Sequence, residues 1–91
     1  MPTRILLADD HDLIRQGLKS WLESQGFRVV CETSDGQEAV RLGAKENPDL
    51  AIPDISMPIM NGVEAARELT KSSFKTKIIL LTRVELDGLP D

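Results

Sequence analysis

The chain has 91 residues, with 11 basic and 15 acidic side chains, a formal net charge of −4 and 41% hydrophobic residues. This length predicts one domain over residues 1–91, and the negative charge argues against nucleic acid or an anionic membrane as a direct partner of the segment. The single cysteine excludes an internal disulfide and fits the reducing cytoplasm, and the apolar stretches are too short for a membrane span.

The first third of the chain predicts a strand, a helix and a second strand. The apolar run 5–8 indicates a strand buried on both faces, as in parallel sheets. Apolar residues at helical spacing predict a first helix over 12–25, with Trp21 packed on the sheet and Gly26 as a left-handed cap. Residues 27–32 predict a second strand that is more polar and therefore nearer an edge, with Cys31 as a small core residue.

A second helix and a third strand follow. Ser34 and Gln37 form a capping-box pattern that opens the helix, which we expect to run to about residue 46. Pro48 stops it, since a proline disfavours helical geometry in the residue before it. The apolar run 50–53 predicts the third strand.

The last predicted elements are a third helix and a fourth strand. A stripe of Val63, Ala66 and Leu69 indicates the helix, and residues 77–81 predict the strand, whereas 83–91 has the least regular pattern. Repeated β-α-β units favour right-handed crossovers. They predict an α/β fold with a doubly wound parallel sheet.

Polar residues directly follow three of the predicted strands. They are Asp9 with Asp10 after the first strand, Asp54 after the third and Thr82 after the fourth. Because ligands sit at the carboxyl ends of parallel strands, these side chains should converge at one edge of the sheet. Carboxylates with retained waters suit Mg²⁺, and a carboxylate beside that ion can attack a phosphoryl group and form an aspartyl phosphate. Thr82 could then hydrogen-bond the phosphoryl oxygens.

Simpler roles exist for the same residues. Asp9 and Asp10 could cap the first helix, as we expect of Asp12, because carboxylates interact favourably with a helix N-terminus. Thr82 could bond its own backbone at a strand end. His11 is expected to be a solvated residue at the helix start. Only the combination of the residues at one edge favours the site.

Longer motifs carry a resemblance that spans nearly the whole chain. They are LLADDH at 6–11, PDL at 48–50, DISMPIMNG at 54–62 and KIILLT at 77–82. Together they resemble the receiver domain of bacterial two-component response regulators. ADDH followed by RQGL at 15–18 further resembles the LuxR-type (NarL/FixJ) subfamily. The resemblance implies a flavodoxin-like (CheY-like) sheet with strand order 2-1-3-4, here lacking the fifth βα unit.

The resemblance also implies a role for each residue of the site. Asp54 would be the phosphoacceptor for a histidine kinase, and Asp9 and Asp10 would form the acidic metal pocket with it. The backbone carbonyl of Ser56 would complete the Mg²⁺ shell, and Thr82 would be the switch hydroxyl. The protein would then be a cytoplasmic signalling component in transcription regulation, and not an enzyme with an external substrate.

Three features depart from the family pattern. Family receivers carry a lysine at the end of a fifth strand, and the chain stops before one, so we expect an incomplete receiver without an output domain and with impaired phosphotransfer or signalling. Pro53 stands where a large aliphatic residue is usual and would distort the strand or shift the acceptor, because it lacks an amide hydrogen. Arg83 is bulkier than usual and could screen the site or partly substitute for the missing cation.

Two alternatives to a phosphoacceptor stay open. An incomplete receiver could act as a protein-interaction module that phosphorylation does not switch. A phosphohydrolase with an aspartyl nucleophile is the third hypothesis. That class usually has a second aspartate two positions after the nucleophile, where this chain has Ser56.

The partners follow from the same reasoning. A histidine kinase is the expected donor, and the fourth strand would be an apolar sheet edge that favours a homodimer or a segment-exchanged oligomer. Contact with DNA would come only through an output domain outside this segment, and no membrane partner is expected.

Overall fold

The computed structural model describes residues 2–73 and 75–82 and shows a parallel sheet between helices. The strands are β1 (Arg4–Ala8), β2 (Arg28–Thr33), β3 (Leu50–Pro53) and β4 (Lys77–Ile78), and the helices are α1 (Asp12–Ser24), α2 (Gly36–Glu46) and α3 (Gly62–Ser72). The order β2-β1-β3-β4 confirms the predicted α/β fold, its strand order 2-1-3-4 and the edge position of β2. The predictions for Arg83 and 84–91 concern residues outside this description. None of the three helices is long and apolar enough to cross a membrane.

β1 lies at the centre of the core because helices cover both faces of the sheet. Ile5 and Leu7 pack with Leu22 of α1 on one face, whereas Leu6 and Ala8 pack against α2 and α3 on the other. These four of the five β1 side chains are fully buried. Burial on both faces explains why the run is continuously apolar rather than alternating.

The predictions for α1 are only partly confirmed. Gly26 has the expected positive φ of 94°. Trp21 does not pack on the sheet and is 58% exposed, because its neighbour Leu22 occupies the helix side that faces β1. Asp12 does not cap the helix either, since the N-cap is His11, and the Asp12 carboxylate pairs with Arg15 one turn later.

The other two helices begin with side-chain caps. In α2 the N-cap is Asp35, whose carboxylate accepts the Glu38 amide at 2.7 Å, so the predicted Ser34 cap is wrong by one residue. In α3, Asn61 and Glu64 form a reciprocal capping box. These caps satisfy amides that a helix start otherwise leaves without partners.

The predicted apolar stripe of α3 is confirmed only in part, at Leu69 and the half-buried Ala66. Ala65 and Leu69 are fully buried, whereas Val63 is 44% exposed. The difference follows from the Asn61 cap, which makes Gly62 the first residue of the helix. Because Gly62 lies against the backbone of Asp54, the side of α3 that carries Gly62, Ala65 and Leu69 faces the sheet.

Cys31 contacts the core as expected. It is half-buried on β2 and packs with the residues beneath α2 and α3. Burial, aided by the charge of Glu46, raises the pKa of its thiol to about 11. The thiol is therefore neutral and unreactive at physiological pH.

Pro53 shortens β4 rather than displacing the residue that follows it. The predicted strand 77–81 is regular only over Lys77–Ile78, and pairing resumes at Leu81, which bridges to Asp54. The Pro53 carbonyl accepts the Leu81 amide at 2.9 Å and so points towards the β4 side of the sheet. The amide and the carbonyl of one strand residue point to the same side, so the amide hydrogen that proline lacks would also point towards β4. On the β1 side, the Asp54 amide still donates to the Ala8 carbonyl at 2.8 Å.

A close backbone approach requires glycine at the start of α3. A Cβ on Gly62 would lie 2.3 Å from the Asp54 carbonyl oxygen, which is far inside contact distance. The Gly62 amide also donates to the Ile55 carbonyl at 3.0 Å and ties the helix start to the end of β3.

We expect Gly62→Ala to destabilise the fold by about 2 kcal/mol, because backbone must move to admit the methyl group. The matched control is Gly17→Ala on α1, where a Cβ meets nothing within 4 Å. That change should stabilise the protein by roughly 0.5–1 kcal/mol through helix propensity. Urea unfolding measures both, and similar free-energy changes in the two variants would refute the close-packing argument.

The edge of the described sheet at β4 should promote association. Ile79 is 56% and Leu80 is 40% exposed beside this edge. We expect light scattering to give a mass that rises with concentration above the 10.1 kDa of one chain. Leu80→Lys should reduce that mass, whereas Leu13→Lys at an exposed position on α1 should not. A monomer at every concentration would contradict the prediction.

Candidate functional site

The sheet register brings together the acidic residues that follow β1 and β3. The two strands are adjacent and parallel, with Ala8 paired to Pro53, so Asp9 and Asp54 leave the sheet side by side. The Asp9 amide donates to the Thr33 carbonyl at 3.0 Å, and the Asp54 amide donates to the Ala8 carbonyl. The ladder of β2, β1 and β3 therefore extends to both residues and places them.

The three predicted carboxylates lie in one cluster with a histidine. Asp9, Asp10, His11 and Asp54 each offer one ligand atom, and these atoms all lie within 4.8 Å of one another. Asp9 and Asp54 are buried, whereas Asp10 and His11 are exposed. The prediction that His11 is a solvated residue at the helix start is confirmed, whereas its position in the cluster was not predicted.

Hydrogen bonds orient the carboxylates of the cluster. Asp9 Oδ1 accepts the His11 amide at 2.8 Å, and Asp54 Oδ1 accepts the Ser56 amide at 3.2 Å. The His11 ring nitrogen Nδ1 lies 3.0 Å from Asp10 Oδ1. The loops after β1 and β3 thus direct their side chains through local backbone contacts.

The donor set fits a hard divalent cation. Two ionised carboxylates that are buried close together repel each other and lose hydration, and a cation between them offsets both costs. Carboxylate oxygens are ligands that Mg²⁺ prefers, and the exposed side of the cluster leaves room for the waters that this ion retains. Imidazole suits softer metals, so the oxygen ligands for such an ion would be Asp9, Asp10 and Asp54 rather than His11.

The other two predicted site residues lie next to the cluster along the chain. Ser56 reaches Asp54 through its amide, and the metal role of its carbonyl stays a prediction. Thr82 is exposed and follows Leu81, which pairs with Asp54 across the sheet. The structure therefore places Thr82 at the predicted edge, while its role as a switch hydroxyl stays a prediction.

The loop between β3 and α3 holds a feature that the sequence did not reveal. Ile59 has a φ of 68°, and the Met60 amide donates to the Pro58 carbonyl at 2.7 Å across it. This is the rare γ-turn with positive φ, which is strained for a β-branched residue. Nothing in the local pattern predicts it, since isoleucine is among the residues least suited to that backbone.

Comparisons with known proteins agree with the fold. The response regulator receiver domain family matches residues 5–87. The transcriptional regulatory protein LiaR of Bacillus subtilis is 42% identical over 80 residues, which cover 87% of this chain and 38% of LiaR. The chain spans about two fifths of the length of the curated relatives it matches.

Solved structures give the same result. A LuxR-family two-component response regulator from Aurantimonas sp. superposes with a TM-score of 0.86 and 32% identity, over 93% of this chain and 61% of that one. A chain of the CheX-CheY-BeF3-Mg²⁺ complex from Borrelia burgdorferi superposes with a TM-score of 0.86 and 26% identity, over 92% of this chain and 64% of that one.

The family match covers most of the chain, the sheet order is that of the structural relatives, and the acidic residues of the matching motifs meet at one edge of the sheet. The chain belongs to the receiver domain family of two-component response regulators, and its relatives are of the LuxR/NarL type.

Proposed function

We propose that this receiver accepts a phosphoryl group on Asp54 from a histidine kinase, in a reaction that depends on Mg²⁺. Asp9, Asp10 and Asp54 would hold the ion, with the Ser56 carbonyl completing the protein ligands. The observation that carries the proposal is the gathering of the carboxylates within 4.8 Å of one another at the ends of two adjacent strands.

The chemistry assigned to Asp54 is nucleophilic attack. One carboxylate oxygen bonds to the phosphorus of the donor phosphohistidine, the bond from phosphorus to the imidazole nitrogen breaks, and the leaving imidazole takes up a proton. Bound Mg²⁺ would supply charge neutralisation to the phosphoryl oxygens and the carboxylates. The Ser56 amide holds Asp54 Oδ1, and the Thr82 hydroxyl would donate to a phosphoryl oxygen after transfer.

Two features of the relatives support the proposal. The structural relative from Borrelia burgdorferi was crystallised in a complex that contains BeF3 and Mg²⁺, and beryllofluoride is a phosphoryl analogue. The sequence relatives are named as transcriptional regulators, which favours a role in a phosphorelay that controls transcription.

A protein-interaction module is the second candidate. The exposed Ile79 and Leu80 beside β4 favour it, because apolar side chains at a sheet edge are suited to docking. A phosphohydrolase has less support, since Ser56 occupies the position of the general acid and uses its amide to hold Asp54.

The test is phosphorylation by acetyl phosphate with Mg²⁺, followed by intact mass measurement. We expect the mass of one phosphoryl group on the wild-type chain, its loss in Asp54→Ala, and its loss when the metal is chelated. Asp49→Asn is the matched control, because Asp49 lies immediately before β3 and Asp54 lies immediately after it. That variant should still be modified.

Other outcomes would favour the alternatives. A folded wild-type chain that binds Mg²⁺ and stays unmodified would contradict the phosphoacceptor role and support the interaction module. Repeated turnover of a phosphomonoester, lost in Asp54→Ala, would support the phosphohydrolase instead.

A further inference from the structure

Arg15 on α1 connects the acidic site to the neighbouring strand. Its Nη1 donates to the backbone carbonyl of Asp9 at 2.7 Å, and its Nε donates to the Glu32 carboxylate at 3.0 Å. Its Nη2 lies 2.9 Å from the Asp12 carboxylate on the same helix. The side chain is only 13% exposed, so these contacts are held in a largely enclosed setting.

Arg15 adds a side-chain contact to the backbone contacts that hold Asp9. The Asp9 amide donates to the Thr33 carbonyl, the Asp9 carboxylate accepts the His11 amide, and Arg15 holds the Asp9 carbonyl. That carbonyl belongs to the peptide plane that joins Asp9 to Asp10. Fixing the plane therefore restricts the backbone rotations on either side of it, on which the directions of both carboxylates depend.

Glu32 anchors the arginine from β2. Its carboxylate accepts from Arg15, from Gln16 at 2.9 Å and from Lys19 at 2.8 Å. The hydrogen bond from Lys19, reinforced by that from Arg15, lowers the pKa of Glu32 despite its partial burial. Glu32 is thus ionised at neutral pH and offers Arg15 a fixed, charged partner.

The geometry requires the arginine fork rather than a positive charge alone. Three different nitrogens of Arg15 reach three different acceptors, and the planar guanidinium holds them in a rigid arrangement. A lysine in the same position would have one ammonium nitrogen, which cannot occupy all three places.

We propose that Arg15 is a positioning residue for the divalent cation, because it holds the peptide that carries Asp9 and Asp10 from an anchor on Glu32. The inference rests on the proposed function in that it assumes the same cation site. It adds a residue outside the acidic cluster whose loss should weaken cation binding without removing a ligand.

The test measures Mg²⁺ affinity by titration calorimetry, with thermal unfolding of the same samples without metal. We expect Arg15→Gln to weaken Mg²⁺ binding about tenfold or more, the size of effect seen when residues that orient metal ligands are lost. Arg41→Gln is the control, since Arg41, like Arg15, pairs with a carboxylate on its own helix but lies outside the cluster. Its affinity should stay within about twofold of wild type.

A lysine variant separates position from charge. Arg15→Lys keeps the positive charge, and we expect it to bind Mg²⁺ nearly as weakly as Arg15→Gln. Recovery of wild-type affinity in Arg15→Lys would overturn the inference in favour of a charge effect. An affinity within twofold of wild type in Arg15→Gln would overturn it as well.

A second variant covers the case in which Arg15→Gln fails to fold. Glu32→Ala keeps the arginine and removes its anchor, and we expect Mg²⁺ affinity to weaken several-fold, whereas unchanged affinity would overturn the inference.

The proposed function and the positioning role of Arg15 fail differently. A wild-type chain that binds no Mg²⁺ refutes both, while normal binding and phosphorylation in wild type and in all Arg15 variants refutes the positioning role alone.

Discussion

The structure depends on the placement of two carboxyl side chains, those of Asp9 and Asp54, inside the protein at the ends of adjacent strands. Their separation is short enough for repulsion and loss of hydration to oppose folding. A cation bound between them would offset both costs, and the sheet register keeps the two residues in place because Ala8 and Pro53 pair immediately before them. The same arrangement that costs stability is therefore the one on which the proposed chemistry depends.

The surrounding elements hold this arrangement from several sides. Gly62 lets α3 begin directly against the backbone of Asp54, and the Asn61 cap sets where that helix starts. On the other side, Arg15 ties the Asp9 peptide to Glu32 on β2. Helices and strands that carry no site residue thus control the direction of the carboxylates through backbone contacts.

Pro53 shows how the sheet tolerates a local defect next to the site. The amide hydrogen that proline lacks would face β4, and the loss falls there, where the strand is interrupted before Leu81. The side that faces β1 keeps its hydrogen bond to Asp54. The position of Asp54 is preserved because the defect weakens the ladder on the edge side of β3 and leaves the inner side intact.

The sequence by itself determined the elements, the sheet and the acidic residues, because continuous apolar runs that end in carboxylates predict buried parallel strands with a site at their ends. Only the tertiary structure decided that His11 borders the site, that Arg15 reaches the Asp9 carbonyl, and that Trp21 faces solvent. Local patterns specify period and polarity along the chain. Contacts between residues on different elements depend on how helices rotate and dock against the sheet, and that information is not local.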